Sequence, residues 1–171
     1  MIVMPVKKKS DNKSFDTKRS VKRARAVRKI KNQSWTIETS DRSYVWSSRM
    51  ERVSIIRKGL PYESIEFISN KSNLPIKHIL HLLQMPQTTY NKKKKDKDLL
   101  SGRDSELVLV LTEVLEFGLE VFNSEKEKFQ RWLQKTNISL GGAAPISLFD
   151  SLTGIQEVRN RLNRLEYGNL A

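Results

Sequence analysis

Between residues 87 and 95 the chain reads QTTYNKKKK. Gln87, Thr88, Thr89 and Asn91 carry amide and hydroxyl groups that match the donor and acceptor pattern of base edges. Lys92, Lys93 and Lys94, with Lys95 behind them, are point charges that neutralise phosphate. Tyr90 stands among them, able to pack inward or to touch sugar. This is the chemistry of recognition, and little elsewhere reads as bond-making chemistry. His78 and His81 lie three apart but have no Cys and no third ligand nearby, so they read as packing or surface side chains. The glycines of SLGGAAPIS have neither the GxGxxG spacing nor a P-loop lysine, and mark a turn. No grouping of nucleophile, base and orienting residue is apparent, so neither an enzyme, a cofactor nor a metal is expected.

The elements that must position residues 87–95 are legible on either side. Pro75 suits a helix start, and Ile76, Ile79, Leu82 and Leu83 give the helix that follows an apolar stripe. Pro86 ends that helix and lets another begin near Gln87, a connection of helix-turn-helix length. In such a unit the second helix enters the major groove, with early residues at base edges and later basic ones at phosphates. A helical hairpin with a solvated basic end is the alternative. Upstream, Gly59 and Pro61 bracket a stop and a new start, and Ile65 and Ile68 share a face of the next helix.

Charge is distributed unevenly along the 171 residues. The total is +13, but residues 1–50 hold 14 Lys/Arg against 4 Asp/Glu, residues 51–103 hold 11 against 5, and residues 104–171 hold 7 against 10. A basic front is drawn to a polyanion through counterion release and long-range steering, and nucleic acid is the common one. Residues 1–48 contain few large apolar side chains and read as a basic, flexible tail. Within it Val21, Ala24, Val27 and Ile30 recur beside five basic residues, so a short amphipathic helix could form on an anion. SWTIETS and SYVWSS alternate weakly. There is no cysteine, no signal-peptide pattern and no apolar run of 18 residues, which leads to the expectation of a cytoplasmic protein with no membrane partner.

The acidic half reads as helices throughout. Leu107, Leu111, Val114, Leu115, Leu119 and Phe122 form one stripe, with Asp104 or Ser105 as its expected cap. Ser124 and Glu127 have capping-box spacing before Phe129, Trp132 and Leu133. A short helix is expected over residues 145–152. Thr153 with Gln156 repeats the capping-box spacing before Ile155, Val158, Leu162 and Leu165. The expected architecture is all-α: a tail over 1–50, a helix-turn-helix module over 51–103 and a small helical domain over 104–171.

Five stretches together resemble one family. They are RKGLPYESIEFI, LLQMPQTTYNKKK, LEFGLEVFNSEKEKFQRWL, TNISLGGAAPISLFDSLTGIQEV and RLNRLEYG, and in this order they look like the Xre/MbcA/ParS group of type II antitoxins, over about residues 52–171. The resemblance implies an Xre-like helix-turn-helix module that dimerises and binds operator DNA. It also implies a C-terminal domain that blocks the pocket of an NAD-consuming RES-domain toxin. By motif, Arg164, Leu165, Glu166, Tyr167, Gly168 and Asn169 approach that toxin. The family usually has Gly in the turn where this chain has Gln84, a departure that bears on operator binding. The functional expectation is an antitoxin that represses its own operon, the alternative being a standalone basic DNA-binding regulator.

Overall fold

Two four-residue strands come first among the described residues, β1 (Trp35–Glu38) and β2 (Ser43–Trp46), paired antiparallel with Trp35 opposite Trp46 and Ile37 opposite Tyr44. The computed structural model describes residues 33–168. The basic helix expected around residues 21–30 lies outside them. Alternation puts Trp35, Ile37, Tyr44 and Trp46 on one face of the hairpin. Ile37 and Trp46 are fully buried, and the two indoles stack with centroids 6.1 Å apart. Both strands lie within the stretch 1–50 that was expected to be a tail, and the all-helical expectation gains a two-stranded exception.

Seven α-helices follow: α1 (Arg49–Lys58), α2 (Glu63–Ser72), α3 (Ile76–Leu82), α4 (Gln87–Lys95), α5 (Gly102–Val121), α6 (Lys126–Gln134) and α7 (Leu152–Tyr167). Two 3-10 turns, Ile138–Leu140 and Pro145–Leu148, separate α6 from α7. The short helix expected over 145–152 is thus a single 3-10 turn. The axis of the fold is α5, against which α1, α2, α6 and α7 pack. Its Val108, Leu109, Leu111 and Val114 are almost fully buried, and they join Ile65, Ile79, Phe129, Phe149, Ile155, Val158 and Leu162 in one core.

The helix ends follow local hydrogen-bonding demand. Ser48 caps α1 in a full capping box with Glu51, whose carboxylate accepts from the backbone N–H groups of Ser47 and Ser48 and so lies below the ordinary carboxylate pKa. Helix α5 is capped by Ser101, not by Asp104 or Ser105, because the buried Ser105 hydroxyl instead accepts from the Leu60 backbone N–H at 3.0 Å. Ser124 sits at φ 63° in the turn before α6, and Glu125 holds the cap position without a side-chain bond to the helix backbone. Ser151, two residues before Thr153, caps α7. Gly59 stops α1 at φ 81°, where a Cβ would lie 2.8 Å from the Leu100 carbonyl oxygen. That close approach lets Leu100 N–H donate to the Leu60 carbonyl, drawing the segment after α4 back onto the end of α1.

Candidate functional site

Helices α3 and α4 meet through Leu83–Pro86. Met85 N–H reaches back to the Leu80 carbonyl at 2.8 Å and Gln84 N–H to that of His81 at 3.0 Å. This six-to-one closure requires a left-handed residue just past the helix, and Gln84 supplies it at φ 51°. The position where the resemblance expects glycine thus carries a side chain in a backbone region that costs it about 1 kcal/mol.

Tyr90 orients α4. Its ring is buried and lies 6.2 Å from that of Tyr62. Burial, and then the Glu66 carboxylate nearby, push its phenol pKa up. With Tyr90 facing inward, Gln87, Thr88, Thr89, Asn91, Lys92 and Lys93 stand exposed on the outer side. Gln87 donates to the Asn91 side chain at 3.1 Å. Lys93 is held by Asp98 at 2.6 Å, which raises its pKa, and the half-buried Lys94 by Glu66 at 2.5 Å. Exposed ion pairs of this kind are weak in water, so a phosphate can compete for either lysine. Lys92 has no ion pair among the described residues.

The second predicted set lies at the far end of α7. Ile155, Val158 and Leu162 are fully buried, and at Leu165 the helix passes beyond the core. Leu165 and Tyr167 are 41% and 48% exposed, flanked by exposed Arg164 and Glu166. Gly168 closes the helix at φ 71°. Asn169 lies outside the described residues. The structure brings 164–168 together on one helix end, apart in sequence and in element from the face of α4.

A third constellation was not anticipated. Glu113, 7% exposed in the middle of α5, accepts from Trp46 Nε1 at 2.8 Å, Arg52 Nη1 at 3.0 Å and Arg159 Nη1 at 3.3 Å. Hairpin, α1 and α7 are thereby fastened to one carboxylate. The single acid in the apolar run LVLVLTEVL, residues 107–115, was the available signal, since a buried charge requires partners. Among the described residues, no three His, Cys, Asp or Glu side chains group to hold a metal, and no helix is long and apolar enough to cross a membrane.

The fold and these surfaces define a class: a helix-turn-helix protein continued by a second helical module on a shared core. Residues 51–111 match the antitoxin Xre-like helix-turn-helix domain, and residues 118–168 match the antitoxin Xre/MbcA/ParS C-terminal toxin-binding domain. With both domains present in order, the chain belongs to the Xre/MbcA/ParS antitoxin family. It is similar to an antitoxin Xre of Photorhabdus laumondii, 25% identical over 115 residues that cover 67% of this chain and 78% of the relative. An antitoxin Xre of Yersinia enterocolitica is 25% identical over 68% of this chain and 78% of its own. A Prs ADP-ribosylating antitoxin of a Sphingobium species is 27% identical over 73% of this chain and 84% of its own.

Proposed function

We propose that this antitoxin sequesters a RES-domain, NAD-consuming toxin through the last turn of α7 and binds its own operator through α4, repressing the operon as a homodimer. The observation that carries the toxin reading is the exposed pair Leu165 and Tyr167, alternating with the charged Arg164 and Glu166 at the end of the segment that matches a toxin-binding domain. Aromatic and aliphatic side chains of this kind anchor protein interfaces when a concave partner receives them. For DNA, support comes from the outward row Gln87, Thr88, Thr89, Asn91 with Lys92, Lys93 and Lys94 following, and from the basic front of the chain. On this reading residues 51–103 serve DNA and dimerisation, residues 104–171 serve the toxin, and both act in the cytoplasm without chemistry of their own.

The test is co-expression with the neighbouring toxin gene, comparing the full chain with one ending after Leu162. The full chain restores growth and cellular NAD, and the shortened one does not while still binding DNA. If the shortened chain rescues equally, the last turn of α7 is not the toxin-blocking element. If neither rescues, the protein acts as a standalone DNA-binding regulator.

A further inference from the structure

We propose that the cleft between the hairpin, α1 and α7 binds a small phosphate-class oxyanion, a role independent of the toxin reading. The cleft holds about 370 Å³, enough for inorganic phosphate or a small phosphorylated molecule. Arg49 and Arg52 reach it from the first turn of α1, Arg159 from α7, and Trp35 forms its hairpin wall.

The arginines are only partly used within the chain. Arg52 and Arg159 each commit one Nη1 to Glu113, leaving the other N–H groups of both guanidinium forks without a partner among the described residues. Arg49 is exposed and makes no ion pair there. The Trp35 indole N–H is buried with no acceptor among the described residues, a state that costs free energy unless something else supplies one. Two acids stand against these three cations. Glu113 turns both oxygens to its own donors, and Glu51 is bound to the backbone of Ser47 and Ser48. The balance at the cleft remains positive.

Phosphate suits this arrangement better than a carboxylate does. Guanidinium forks bind either group in bidentate fashion, but a tetrahedral oxyanion offers oxygens to three forks arriving from two helices, where a carboxylate offers two. No residue of α4 lines the cleft, so its ligand is separate from any DNA lying along that helix.

The test uses the full chain with its tryptophan side chains labelled with nitrogen-15. Sodium phosphate is titrated in against sodium chloride at constant ionic strength, and the indole N–H resonances are followed. Trp35→Phe assigns the signal of interest. The Trp35 resonance is expected to move saturably while that of Trp132 stays in place. Arg49→Gln and Arg159→Gln should each weaken the response roughly tenfold, the loss expected for one charged hydrogen-bonding group. Arg131→Gln, which removes the same charge from an exposed site on α6, should leave it unchanged. Arg49 makes no ion pair among the described residues, so its variant remains informative if Arg159→Gln misfolds. A response linear in phosphate, or equal in Arg49→Gln and Arg131→Gln, would show only general attraction to a +13 chain and overturn the site. So would a Trp35 signal that moves with a DNA duplex and not with phosphate.

Discussion

The outer side of α4 and the last turn of α7 present opposite kinds of surface. Along α4 the exposed groups are amides, hydroxyls and lysines, with Lys93 and Lys94 paired to Asp98 and Glu66. At the end of α7 two large side chains, Leu165 and Tyr167, stand half exposed, alternating with Arg164 and Glu166. The first surface acts at a distance and weakens as salt screens it, whereas the second acts only in contact and is largely indifferent to salt. Both depend on inward anchors, Tyr90 in one case and Leu162 in the other. What differs is therefore the kind of partner each face can hold, not how firmly the fold presents it.

The most severe way to break that contrast is Gly154→Ala. A Cβ there would lie 1.9 Å from the Leu148 carbonyl oxygen, an overlap with backbone that α7 can relieve only by moving off the 145–148 turn. We expect a loss of about 3 kcal/mol, read as a lower midpoint in thermal unfolding, with toxin binding falling accordingly. An unchanged midpoint would mean that α7 is seated differently.

A smaller effect is expected from Lys92→Ala combined with Lys93→Ala. DNA affinity should drop for all sequences alike, and the slope of log affinity against log salt should flatten by about 1 to 2. Toxin affinity should hold steady, and a fall in both would erase the distinction between the two faces. Next comes Gln84→Gly, which relieves the left-handed strain at φ 51° and should stabilise the protein by about 1 kcal/mol in urea unfolding. Destabilisation instead would reveal a contact made by the Gln84 side chain.

The smallest effect concerns acid. Glu63 accepts from the backbone and hydroxyl of Ser40, and these bonds lower its pKa from the ordinary 4.5. A carboxylate lowered on folding contributes stability that is fully present above 4.5 and is lost as pH falls from there through the native value. A lower protection factor for the Ser40 amide over that window, with that of Tyr90 unchanged, would show the hairpin turn loosening before α4 does.

Much of this was legible in the sequence because period and punctuation agreed. Pro75, Pro86 and the Ile79 and Leu82 stripe gave α3, the turn and the start of α4 in their observed places. The caps were misplaced by a few residues, since cap choice depends on what lies across space. Ser105 faces Leu60, and Ser124 is committed to a left-handed turn. The hairpin was faint because each strand contributes only two core-facing residues, and four residues scarcely show a period. The Glu113 clamp joins Trp46, Arg52 and Arg159 across up to 113 positions of sequence, and no window of neighbouring residues contains it.

Helix α5 runs unbroken from Gly102 to Val121, while the two family matches end and begin within it, at 111 and 118. Its 20 residues form a rod about 30 Å long, whose sides are the floor of both modules. Toxin specificity therefore cannot be exchanged between relatives by splicing at the seam the matches suggest. A working chimera must inherit the whole rod together with the lining of both its neighbours, so the two halves are constrained to diverge as one piece.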